Sequence, residues 1–73
     1  MLVTFDAEAD AVYIYFVQPQ TIKVSYTIEP SHNIIADYDY QNKLIGLEIL
    51  NAGDLIGAPN SIKRLEYKDL WEE

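Results

Sequence analysis

Between Asn33 and Leu50 apolar and polar side chains alternate on both sides of a short polar break at Gln41-Asn42. Only a β-strand sends successive side chains to opposite faces, so this stretch constrains the fold more than any other. Closing the break as a two-residue loop opposes Tyr40 with Lys43, Tyr38 with Ile45, Ala36 with Leu47 and Ile34 with Ile49. One face then collects Ile34, Ala36, Tyr38, Ile45, Leu47 and Ile49. The other collects Ile35, Asp37, Asp39, Leu44, Gly46 and Glu48. A slip of one residue would mix the two sets, so the pattern specifies its own register.

The same period runs through Thr21 to Ile28, "TIKVSYTI", where Ile22, Val24, Tyr26 and Ile28 alternate with polar residues. Ala11 to Val17, "AVYIYFV", is β-branched and aromatic, and "QPQ" at residues 18–20 is a turn signal. A hairpin closed there opposes Phe16 with Ile22, Ile14 with Val24 and Val12 with Tyr26. Tyr13 and Tyr15 then fall on the other face. Leu2 to Phe5 is a further short strand, and "EPSHN" breaks the pattern at Pro30. In the tail, Ile62, Leu65, Leu70 and Trp71 follow cap-type residues at roughly helical spacing. A helix there would cover the aliphatic face, and the alternative is an added strand or arm docking on a second copy. The expected fold is α+β: a small antiparallel β-meander of four to five strands over residues 2–52, a connector over 53–59 and one C-terminal α-helix over 60–73.

A chain of 73 residues makes one domain with a marginal core. Ala11 to Val17 is apolar on both faces, more than a lone two-layer domain of this size covers, so a homodimer is expected. The net charge is −7, from 12 acidic against 5 basic residues. Nucleic-acid binding demands basic patches, so DNA and RNA are not expected partners, whereas a basic protein is. No cysteine is present, which removes disulfides, thiolate metal sites and thiol catalysis and fits a cytoplasmic protein. No apolar run approaches a membrane span, and "MLVTFDAEAD" lacks the layout of a signal peptide.

Three groups of residues carry possible chemistry. Asp6, Glu8 and Asp10 alternate like calcium ligands, but an EF-hand loop then needs Gly and Glu where this chain has Ala11 and Val17. The expectation is that Asp6 caps a turn, that Asp10 does the same where the next strand begins, and that Glu8 is solvated. Asp37, Asp39 and Glu48 share the acidic face with Tyr13 and Tyr15. Three converging carboxylates are suited to a divalent cation or to acid–base work, and a solvated strand pair is the structural alternative. Asp6 and Asp10 would stand at the rim of such a site. His32, the one histidine, lies in the loop "PSHN", with no Ser or Cys nucleophile arrangement around it in sequence.

Two stretches carry a resemblance. "FDAEADAVYIYF" followed by "IIADYDYQNKLIGLEILNA" resembles domain-of-unknown-function family 2283, of small bacterial and archaeal proteins. The matching positions are Phe5, Asp6, Glu8, Asp10, Tyr13 and Ile14, then Asp37 to Asp39, then Gly46 to Leu50 and Ala52. Phe5 stands where the family pattern has Tyr, and Leu47 where it has Ile. The resemblance spans Leu2 to Ala52 and implies a small β-rich fold, with no activity, cofactor or catalytic residue attached. Together these readings predict a non-enzymatic protein-interaction module that forms a homodimer and needs no cofactor. The alternative is a divalent-metal-binding or metal-dependent enzyme domain using the acidic face.

Overall fold

The computed structural model describes residues 1–57 and the backbone of Leu65 and Glu66. The strands are β1 (Leu2–Asp6), β2 (Ala11–Tyr15), β3 (Tyr26–Ser31), β4 (Ile34–Tyr38), β5 (Leu44–Leu50) and the two-residue β6 (Leu65–Glu66). They form one sheet in the order β3-β4-β5-β2-β1-β6, and every neighbouring pair is antiparallel. One short helix, α1 (Ala52–Leu55), follows β5.

Among the described residues the fold is therefore mostly β rather than the expected α+β, and the sheet is not a simple meander. Ala11 to Val17 does not pair with Thr21 to Ile28. Instead β2 lies between β1 and β5, with Val12 opposite both Phe5 and Ile49, and Ile14 opposite both Val3 and Leu47. The reason lies in the two connections. Asp6 Oδ1 accepts the backbone N–H groups of Glu8 (3.0 Å) and Ala9 (3.2 Å), and Asp10 adopts a positive φ of 51°, so the chain reverses between β1 and β2. At "QPQ" the chain forms a 3-10 turn, Pro19–Thr21, in which the Thr21 N–H and hydroxyl both donate to the Gln18 carbonyl. That turn enters and leaves in extended conformation, which carries the chain onward rather than folding it back. The chain reaches β3 on the far side of β4, and Ser25 N–H donates to Tyr38 O as it arrives (2.8 Å).

Pro30 does not end its strand. β3 is an edge strand among the described residues and runs through to Ser31, with a register irregularity between Ile28 and Ser31. Both features suit a residue with no N–H to give a ladder. The β4–β5 loop also differs from the two-residue expectation. Its loop residues are Tyr40, Gln41 and Asn42, with Asn42 at φ 65° and Asp39 N–H donating to Lys43 O. A second irregularity, between Asp37 and Tyr38, places Tyr38 opposite Leu44. The two departures cancel. Ile34 still faces Ile49, Ala36 faces Leu47, and Asp37 faces Gly46.

Register then assigns the faces. The aliphatic face carries the row Phe5, Val12, Ile49, Ile34 and the row Val3, Ile14, Leu47, Ala36, Ile28. The opposite face carries Thr4, Tyr13, Glu48, Ile35 and Leu2, Tyr15, Gly46, Asp37, Thr27. Val12 and Ala36 are buried on the first, Leu2 and Ala11 on the second, and Ile45 and Ala52 complete the buried apolar set among the described residues.

The expected C-terminal helix over 60–73 lies outside the described residues except at Leu65–Glu66. There the backbone is extended and pairs with Leu2 and Val3 of the same chain. α1 occupies part of the stretch expected to be a connector. No helix among the described residues is long and apolar enough to cross a membrane.

Candidate functional site

The acid–tyrosine face is organised around Asp37. Tyr13 projects from β2 and Asp37 from β4, with β5 between them. The Tyr13 ring lies across β5 and its hydroxyl donates to Asp37 Oδ2 at 2.5 Å. The passage is open because β5 has Gly46 there. A Cβ at position 46 would come within 2.8 Å of Tyr13 Cζ and 2.9 Å of Cε1, nearer than real contacts allow. From the far side, Thr27 Oγ1 on β3 donates to Asp37 Oδ1 at 2.8 Å. One carboxylate thus links β2, β4 and β3 across four adjacent strands.

Tyr15 packs on Tyr13 with ring centroids 4.5 Å apart and planes tilted by 49°. Glu48 is directly opposite Tyr13 and Ile35 on the same face, half-buried. The Tyr13 phenol is held well above its ordinary pKa, first by burial, then by its hydrogen bond to Asp37 and by the charges of Asp37, Tyr15 and Glu48. A general acid or nucleophile works best with a pKa near the operating pH, so this shift moves Tyr13 away from such a role. The arrangement clamps strands together.

Asp39 does not join this face. It sits past the end of β4, and its Oδ1 accepts the backbone N–H groups of Gln41 (2.8 Å) and Lys43 (3.0 Å), which shapes the three-residue loop. Asp6 caps its own turn as expected. Asp10 acts across a greater distance than expected: its Oδ1 accepts from Gly53 N–H (3.0 Å) and its carbonyl accepts from Ala52 N–H (2.9 Å). It therefore caps α1, 43 residues further along, rather than the start of β2. Glu8 is exposed, and His32 is exposed in the β3–β4 turn.

The structure brings together Tyr13, Tyr15, Asp37 and Glu48, and it disperses Asp39, Asp6 and Asp10 into separate turns. Among the described residues no group of three or more His, Asp or Glu side chains is placed to hold a metal ion. Thr27 and the special role of Gly46 were missed in the sequence. A lone glycine inside an apolar strand is the signal that could have pointed to a close approach at Gly46.

Tyr13, Asp37 and Gly46, which stand far apart in the chain, all fall within the residues of the two resemblance motifs, and here they form one unit. No curated protein matches this chain, and no solved structure does. The family described as "Protein of unknown function (DUF2283)" matches residues 2–52, which is more than half of the chain, and the protein belongs to that family.

Proposed function

We propose that this chain is a non-catalytic protein-interaction domain that works as a homodimer. The observation that supports it is a contrast between two sets of side chains. The polar groups of the acid–tyrosine face are engaged within the chain, where Asp37 accepts from both Tyr13 and Thr27. Large apolar side chains meanwhile stand open to solvent, among them Val24 (46% exposed) and Ile28 (47%). Contiguous apolar surface on a small domain is characteristic of a partner-binding surface, and a marginal core gains stability from association. The net charge of −7 suits a basic protein as a further partner, and the absence of cysteine suits a cytoplasmic setting.

Size and metal response test the reading together. At high micromolar concentration, light scattering is expected to give twice the mass of one chain. Mg²⁺, Mn²⁺, Ca²⁺ and Zn²⁺ are expected to leave the melting temperature unchanged. A specifically bound ion at 100 times its Kd would add about 2.7 kcal/mol. A rise of that size that Asp37→Asn abolished would transfer the reading to a divalent-metal-binding domain.

A further inference from the structure

Leu55 of α1 apart, the exposed large apolar side chains of the described residues gather in one region. Phe16, Val24, Tyr26, Ile28, Tyr40 and Leu44 are all over a third exposed, and all belong to β3, the β4–β5 hairpin and the segment that leads from β2 to β3. The register connects them. Tyr26 is opposite Tyr38, Tyr38 is opposite Leu44, and Phe16 N–H donates to Ile45 O beside Leu44. The Tyr26 and Tyr38 rings stack at 5.2 Å, and the Tyr26 hydroxyl donates to Asn42 Oδ1 (2.8 Å), which ties β3 to the hairpin loop. An open cavity of about 160 Å³ adjoins this surface, lined by Val17, Ile22, Lys23, Asp39, Tyr40 and Ile45 together with Thr21. The surface thus lies at the end of the sheet remote from the β1–β2 turn, and Tyr40, 79% exposed, belongs to both the patch and the cavity.

Charge singles out the occupant. Lys23 and Lys43 are the lysines of residues 1–57, which hold no arginine. Lys23 precedes Val24 and Lys43 precedes Leu44, so both flank the apolar patch. Two copies at −7 each repel one another, and they meet at least cost where each presents its cations rather than its acids. Asp39 lines the cavity beside Lys23, so each copy would offer an acid as well as a cation to the other. A two-fold axis doubles every such contact, since each copy offers the same surface to the other.

We infer that this surface, centred on Tyr40 and flanked by Lys23 and Lys43, is the two-fold interface with a second copy of the chain. The inference rests on the homodimer reading and locates its interface. β3, the outermost strand on this side among the described residues, lies within the interface, and the acid–tyrosine face and the β1 side of the sheet remain outside it.

Sedimentation velocity across a dilution series ending near 200 µM, a range on the order of weak-dimer affinities, tests it. The substitutions are Tyr40→Glu in the β4–β5 loop and Lys43→Glu just after it, both at exposed positions, with Glu8→Gln in the β1–β2 turn as the control. The wild-type chain and Glu8→Gln are expected to dimerise alike. Tyr40→Glu and Lys43→Glu are each expected to raise the dissociation constant about tenfold or more, as for loss of a central anchor or a charge contact. Circular dichroism unchanged from wild type shows that each variant is folded. A wild-type dimer that neither loop variant weakens would overturn this interface and leave the homodimer reading standing. A monomeric wild-type chain would overturn both.

Discussion

Gly46 lacks a side chain at the one point where Tyr13 must cross β5 to reach Asp37. Gly46→Ala would push the phenol off its acceptor, at a cost of about 2 kcal/mol from steric displacement and the lost hydrogen bond. In a Tyr13→Ala background that penalty should vanish, because the obstructed group is gone. Urea unfolding of the two single variants and the double variant measures this coupling. Tyr13→Phe removes only the hydroxyl and should cost about 1 kcal/mol, since the pair is partly exposed to water. The same residue sets an alkaline limit. Its pKa in the folded chain is raised above the unfolded value of about 10, so the native state favours the protonated phenol. That contribution is complete below about pH 10 and is lost as pH rises from there towards the folded value. The stability difference between wild type and Tyr13→Phe should therefore hold steady through neutral pH and shrink above about pH 10. A difference that stayed constant through strong alkali would contradict the coupling of Tyr13 to folding.

At the scale of elements, the turns decide the topology, and carboxylates shape the turns. Asp6 turns the chain from β1 into β2, Asp39 shapes the β4–β5 loop, and Asp10 joins the first turn to α1. Asp6 and Asp39 are thus drawn into local caps, because a short carboxylate reaches N–H groups a few residues away more readily than it reaches another acid, whereas Asp10 caps a helix 43 residues further along. Asp10 is the informative one to change. Asp10→Ala loses the acceptor for Gly53 N–H and places Ala at a positive φ, and it should cost about 1–2 kcal/mol. Asp10→Asn keeps an acceptor oxygen and tolerates that backbone conformation, so its stability should stay within about 0.5 kcal/mol of wild type. Thermal unfolding of the two variants separates a capping role from a charge role, since both substitutions remove the same charge.

At the scale of the whole molecule, the sheet is stable at its middle and open on the β3 side. β2 and β5 have strands on both sides, whereas β3 is exposed along its whole length. Amides of β2 and β5 should exchange with solvent most slowly and those of β3 fastest, because edge positions open without unfolding the rest. In the dimer inferred above, the β3 amides should gain protection as concentration rises. Exchange on the β3 side that is independent of concentration, in a sample shown to be dimeric, would count against that interface.

How much of this was legible in the sequence follows from the same physics. The period-two alternation alone assigned Val12, Ile14, Ile34, Ala36, Leu47 and Ile49 to one face, and Tyr13, Tyr15, Asp37 and Glu48 to the other. Facing is a local property of an extended backbone, so for these residues it survived a mistaken strand partner for β2 and a mistaken loop length before β5. It failed at the irregularity, where Leu44, expected on the acidic face, stands opposite Tyr38 instead of Ile45, and Asp39 leaves the sheet for the loop. Partner choice is not local. β2 could be read equally well against the segment after it or against β5 more than 30 residues later, and only the 3-10 turn at Pro19–Thr21 sent the chain past the end of the sheet. The tertiary structure alone decided that Tyr13, Gly46 and Asp37 act as one unit, because a tyrosine can reach across a strand only when two non-adjacent strands and a gap in the one between them are brought into register.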